Sequence, residues 1–194
     1  MANISIVTDR LATGGDLPLH LGSDVMRENL AEMQAAGVTH ILDNRMEWSD
    51  EQFVARHAPG LSYLHNGQDD IGQPMPDVWF DRGVGFALDA LQEPSTMVLA
   101  HCHMGINRGP SMAYAILLAQ GWNSVEALAA IRDARPIAAI AYAGDALSWW
   151  HRRAGHSDAE AARQRAEVDA WFDAYRLDVV RIIREVRAIE HIGA

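Results

Sequence analysis

Residues 3–8 alternate weakly between apolar and polar side chains and predict a first strand. Residues 9–23, rich in Gly, Pro and Asp, read as a loop. Ser23-Asp24 marks the start of a helix reaching about Ala36, with Glu28 near its start and Gly37 closing it. Val38-Thr39-His40-Ile41-Leu42-Asp43 has the apolar density of a buried strand, and Leu61-Ser62-Tyr63-Leu64-His65 is a second short one. Asp77 is placed to cap a helix over residues 78–91, with Trp79, Phe80, Val84, Leu88 and Leu91 on or near one face. Met97-Val98-Leu99-Ala100 reads as a strand and residues 112–119 as an apolar helix. Ser124 opens a helix that Arg135-Pro136 ends, and residues 144–153, with Trp149 and Trp150, form another.

After a break at Gly155-His156-Ser157, residues 158–190 contain no Gly or Pro and read as helix throughout. Val168, Phe172, Tyr175, Val179, Ile182, Val186 and Ile189 recur at alternating spacings of four and three, a heptad seam. Such a seam can dock on the body, pair with a second copy of the chain, or form a hairpin with residues 144–153. Strands alternating with helices predict an α/β protein with a mainly parallel central sheet flanked by helices. The expected division is a catalytic domain over 1–155 and a helical extension over 156–194, with a long C-terminal helix.

Composition narrows the function. An apolar content of 49% supplies a core and excludes global disorder. A single cysteine rules out an intramolecular disulfide and suits a reducing, cytoplasmic setting. The start of the chain lacks the basic and apolar regions of a signal peptide, and no apolar run is as long as a membrane span. The formal net charge of −10, without a long basic run, argues against nucleic acid and anionic membrane as partners.

The one cysteine lies in Ala100-His101-Cys102-His103-Met104-Gly105-Ile106-Asn107-Arg108-Gly109-Pro110-Ser111, between a strand and a helix. A tight loop entering a helix start points several backbone N–H groups into one concavity, and the helix dipole favours an anion there. Cys102 at the base of such a cradle is expected to be a thiolate near neutral pH. Arg108 can grip two oxygens of a phosphate. Gly105 allows the tight bend, Gly109 is the expected N-cap and Pro110 the first helical residue. His101-Cys102-His103 holds metal-ligand types, but a metal needs three or four converging ligands, and adjacent strand residues face opposite ways. No metal or organic cofactor is called for.

This His-Cys-five residues-Arg signature resembles that of the cysteine-dependent protein tyrosine and dual-specificity phosphatases, and the likeness spans roughly residues 38–150. Rhodanese-like loops are similar but one residue shorter, and low-molecular-weight phosphatases carry theirs near the N-terminus. The resemblance implies two-step phosphomonoester hydrolysis, with Cys102 as nucleophile and Arg108 with the loop residues His103, Met104, Gly105, Ile106 and Asn107 holding the phosphate. His101 is then a buried residue that orients the loop. A loop aspartate about thirty residues before the cysteine is the family's proton donor. Asp69 and Asp70 both meet that spacing, Asp70 being the favoured one. The implied partner is a phosphorylated protein or a small, singly phosphorylated ester, because the loop brings no second fixed cation. The alternative is a catalytically weak module that recognises phosphate. Its support is Gly109, where the family has Ser or Thr donating to the cysteine sulfur; on this reading turnover is slow, Ser111 is a poor substitute, and Gly109→Ser raises the rate. Arg45, past the strand that ends at Asp43, lies where a ligand crevice is expected, but arginines are seldom buried and it is read as solvent-facing.

Overall fold

The computed structural model describes residues 2–192, with side chains placed through residue 188. Five strands, β1 (Ile4–Thr8), β2 (Leu11–Gly14), β3 (His40–Arg45), β4 (Ser62–Gln68) and β5 (Val98–His101), form one sheet in the order β1-β2-β5-β3-β4. Only the β1–β2 pair is antiparallel; β2, β5, β3 and β4 run parallel. The helices are α1 (Ser23–Ala35), α2 (Glu51–His57), α3 (Asp77–Ala90), α4 (Arg108–Ala119), α5 (Ser124–Ala134), α6 (Ala143–Ala154), α7 (Asp158–Ala174) and α8 (Val179–Ile192).

The period of two along each strand separates two cores. Ala12, Leu99 and Ile41 share one row across β2, β5 and β3 and pack on the side of α1 and α2 with Leu30, Met33 and Val54. Leu42, Val98 and Ala100 face the other side, where Phe80, Met112, Leu128 and Leu147 bring in the helices that follow β4. By the same alternation Asp43 and His101, adjacent across β3 and β5, continue the row of Ile41 and Leu99. The chain passes from β2 to β3 to β4 and then returns to insert β5 between β2 and β3. Four parallel strands thus deliver their carboxyl ends to one edge, where ligand crevices of such sheets form.

Three expectations needed correction. Residues 11–14 are a buried strand, not loop; the run is too short and glycine-rich to show a period, and its pairing with both β1 and β5 defines it. Helix α4 starts at Arg108 with Asn107 as its N-cap, so Gly109 and Pro110 lie inside the first turn. The helical tail breaks over residues 175–178. Val168 and Trp171 are buried in the main core, whereas Tyr175, on the expected seam, is 59% exposed. The side chain of Ile189 lies outside the described residues. No helix among the described residues is long and apolar enough to cross a membrane.

Candidate active site

Cys102 follows directly on β5, is 2% exposed, and donates its backbone N–H to Gly14 O at 3.3 Å. The fully buried Asn44 steadies the strand end, its Nδ2 donating to His101 O at 3.1 Å and to Leu42 O at 3.2 Å. Gly105 has φ +66°, and a Cβ there would meet Gly14 C at 2.4 Å, so only glycine passes this close to β2. Arg135 holds the loop from beneath: its guanidinium donates to Gly105 O at 2.6 Å, Met104 O at 2.9 Å and Asn3 Oδ1 at 3.0 Å. From the other side, Ala139 N–H donates to Ile106 O at 2.7 Å and Ala141 N–H to Asn107 Oδ1 at 2.6 Å. Between them the buried Ile140 has φ 54°, a costly conformation for a β-branched residue, held by its packing in the core.

Arg108 is 3% exposed and three of its five N–H groups are occupied. Nη1 donates to Glu47 Oε2 at 2.9 Å and Gln68 O at 2.8 Å, and Nη2 to Glu47 Oε1 at 2.7 Å. Nε is buried without a hydrogen-bond partner, 3.4 Å from Asp70 Oδ2 in poor alignment. The Nε–H and the second Nη2–H lie side by side on one guanidinium edge, the fork that matches two oxygens of a phosphate. Burial pushes the Arg108 pKa down, but Glu47 and the nearby charges of Cys102 and Asp70 outweigh it and raise it. Desolvation likewise opposes ionisation of Glu47, and Arg108 holds that carboxyl below the usual range.

Asp70 arrives on the loop after β4. Its Oδ1 accepts from Asn107 Nδ2 at 2.6 Å and from Tyr142 Oη at 2.8 Å. Burial and the Asp70 carboxylate push the Tyr142 phenol up to about 12. Asp69 is exposed, and its backbone carbonyl accepts from Gln73 Nε2 at 2.6 Å. A cavity of about 380 Å³ brings together Cys102, Arg108, Asp70, Glu47 and the loop side chains of His103, Met104, Ile106 and Asn107. Gly105 is not part of its lining. His103 Nδ1 pairs with Asp16 Oδ2 at 2.8 Å, and its ring meets Trp48 edge-on at 5.2 Å.

Arg45 is neither solvated nor at the substrate. It is fully buried, bonding Asp43 Oδ2 at 2.7 Å, Asp43 Oδ1 at 2.8 Å and Asp50 Oδ2 at 2.6 Å. Three aspartates reach it from separate segments, with Asp16 at 3.4 Å, which explains its burial. Tyr63 Oη donates to Asp43 and accepts from Asp50 N–H at 2.9 Å. His101 Nε2 lies 3.7 Å from Asp43 Oδ1, and burial lowers the His101 pKa although Asp43 opposes this.

Gly109 has a steric cause. A Cβ at this position would lie 2.9 Å from Ala100 O and from the Cα and carbonyl carbon of His101, all backbone. Ser111 Oγ accepts from Tyr142 N–H at 3.2 Å, and no side chain among the described residues hydrogen-bonds the Cys102 sulfur. Glu47 and Tyr142 escaped the sequence reading; a lone Glu in Met46-Glu47-Trp48 carries no signal until β3 lies beside β5. Among the described residues no group of three His, Cys, Asp or Glu side chains is placed to hold a metal.

A cysteine and an arginine meet in one cavity at the end of a central parallel strand, the arrangement that the resemblance to the cysteine-dependent phosphatases leads one to expect. The chain is 29% identical over 125 residues to dual specificity protein phosphatase 26 of Mus musculus, covering 61% of this chain and 57% of that protein. It is 33% identical over 123 residues to protein phosphatase Slingshot homolog 3 of Rattus norvegicus, covering 61% of this chain and 18% of that protein. The match therefore spans little over half of the first relative and less than a fifth of the second. Human DUSP28 superposes with a TM-score of 0.59 at 16% identity, over 78% of this chain and 95% of that one. Tk-PTP gives 0.60 at 18% identity, over 78% and 97%. No family model matches the chain. Fold, signature and sequence likeness together support the cysteine-dependent dual-specificity and tyrosine phosphatase family.

Proposed function

We propose that the protein hydrolyses phosphomonoesters through a phosphocysteine intermediate, with a phosphorylated protein side chain or a small phosphomonoester as substrate. The observation that carries this reading is the unpartnered Nε–H edge of the buried Arg108 beside Cys102 in one cavity. An anion is the partner that such an edge lacks. The Cys102 sulfur attacks phosphorus, the loop N–H groups and the Arg108 edge hold the non-bridging oxygens, and the ester oxygen leaves with a proton. Asp70 is the donor in reach. Its Oδ1 accepts two hydrogen bonds, so the transferable proton sits on Oδ2. Water then attacks phosphorus, the P–S bond breaks, and Asp70 takes the water proton.

Glu47 fixes the rotation of the Arg108 guanidinium and is a positioning residue. Among the described residues no hydroxyl donates to the sulfur, which supports slow breakdown of the intermediate and keeps a weakly catalytic, phosphate-binding module as the second reading. Phosphate release from an aryl phosphate by wild type, with loss to below a tenth in Cys102→Ser and retained oxyanion binding, is expected. A Cys102→Ser protein that keeps its rate overturns the assignment. Asp70→Asn should slow esters with poor leaving groups by roughly 10²–10⁴-fold and those with acidic leaving groups less. The same pattern in Asp69→Asn alone would move the role to Asp69.

A further inference from the structure

The loop around Cys102 brings one guanidinium to the cavity, and helix α8 brings another. Val179, Ile183 and Arg187 line the same cavity as Cys102 and Arg108. They are spaced four and four along α8, so they fall on adjoining turns of one helix face. Ile182 and Val186 are half-buried beside them, while Val180, Arg181, Arg184 and Glu185 are exposed. The amphipathic face of α8 is therefore turned toward the mouth of this cavity.

Two features of this wall bear on substrate. Val179 and Ile183 add apolar surface to that of Met104 and Ile106 around a space of about 380 Å³. That volume is at the low end of small-ligand pockets and suits a ring-sized organic body. Arg187 makes no hydrogen bond or ion pair among the described residues. Arg108, by contrast, is engaged by Glu47 and lies near Asp70. The phosphate has its own donors in the loop N–H groups and the open Arg108 edge, so the Arg187 charge is available to a different group.

We infer that α8 completes the substrate pocket and selects phosphomonoesters with an apolar, ring-sized body that also carry a second anionic group, which Arg187 receives. This rests on the phosphatase reading of the site and supplies from α8 the second fixed cation that the loop itself does not bring. The test compares kcat/KM for meta-carboxyphenyl phosphate and for phenyl phosphate, whose phosphate and ring are shared, in wild type, Arg187→Ala, Arg187→Lys and Ile183→Asp. Relative to phenyl phosphate, the carboxylated ester should lose about fivefold in Arg187→Ala, the scale of a partly solvated ion pair. Lysine should restore most of it, and Ile183→Asp should turn the ratio further against the carboxylate. A ratio that stays constant across the variants, or an equal loss on both esters, overturns the inference alone. Failure of wild type to hydrolyse either ester overturns the phosphatase reading and the inference with it.

Discussion

Gly109 shows how a single position changes meaning between sequence and structure. From the signature, its missing hydroxyl suggests that Gly109→Ser repairs a slow enzyme. In the fold, the added Cβ would lie 2.9 Å from the backbone of Ala100 and His101, so strand β5 or the first turn of α4 has to shift. Overpacking of this kind costs roughly 1–3 kcal/mol. The expected outcome is a lower melting temperature and no gain in turnover. Thermal melting and steady-state rates measured together check it: a faster enzyme with unchanged melting would mean that the helix start moves freely.

At the scale of elements, α7 and α8 do different work although their sequences form one helical run. Helix α7 is an anchor. Trp171 is 8% exposed, lies 5.0 Å beneath the Arg132 guanidinium, and meets the tilted ring of Tyr175 at 5.2 Å. Arg132 Nη1 also donates to Tyr175 O at 3.1 Å, at the end of the helix. Truncating a buried tryptophan costs roughly 3–5 kcal/mol. Trp171→Ala should then lower the melting temperature by about 6–20 °C in a chain of this size. Phe172→Asp, at the half-buried edge of the same contact, should cost less. Unchanged melting in Trp171→Ala would show that α7 is not docked in the core. Helix α8 buries none of its described side chains fully, Val179, Ile182, Ile183 and Val186 being half-buried, so it is held more lightly, and on the inference above it is the part of the tail that meets substrate.

For the whole molecule, the buried polar cluster beneath the site couples stability to acid. Burial opposes ionisation of Asp43, but His101, Arg45 and Tyr63 together hold its pKa at about 2 against an ordinary 3.8. Its folded value is depressed, so its contribution is present above 3.8 and lost as pH falls through about 2. His101 is also depressed, by burial, from 6.5. The unfolded chain takes up that proton before the native state does, so stability declines as pH falls below 6.5. Both groups act in the same direction, and melting temperature should fall in two stages on acidification. His101→Gln should flatten the upper stage and, by removing the largest of the effects that hold Asp43 down, move the lower stage to higher pH. A flat melting temperature between pH 7.5 and 5 in wild type would contradict the burial of a neutral His101.

Local patterns were enough to mark the strand, loop and helix around Cys102, the arginine after it, most of the other helices, and an aspartate pair at the spacing that the family resemblance calls for. Helical and strand periods, turn residues and a short signature are interactions between near neighbours, so they are written in sequence order. Tertiary structure alone decided what lies beside them. Arg45 is buried because Asp16, Asp43 and Asp50 meet there, and those residues come from the ends of different elements. Glu47 reaches Arg108, and Tyr142 reaches Asp70, across gaps of 61 and 72 residues. Those contacts exist because β5 inserts between β2 and β3 and sets the carboxyl ends of four strands together. The heptad seam of the tail did not say which surface it meets. Its fate turned on the break over residues 175–178, which leaves Val168 and Trp171 in the core and carries Val179, Ile183 and Arg187 to the mouth of the cavity.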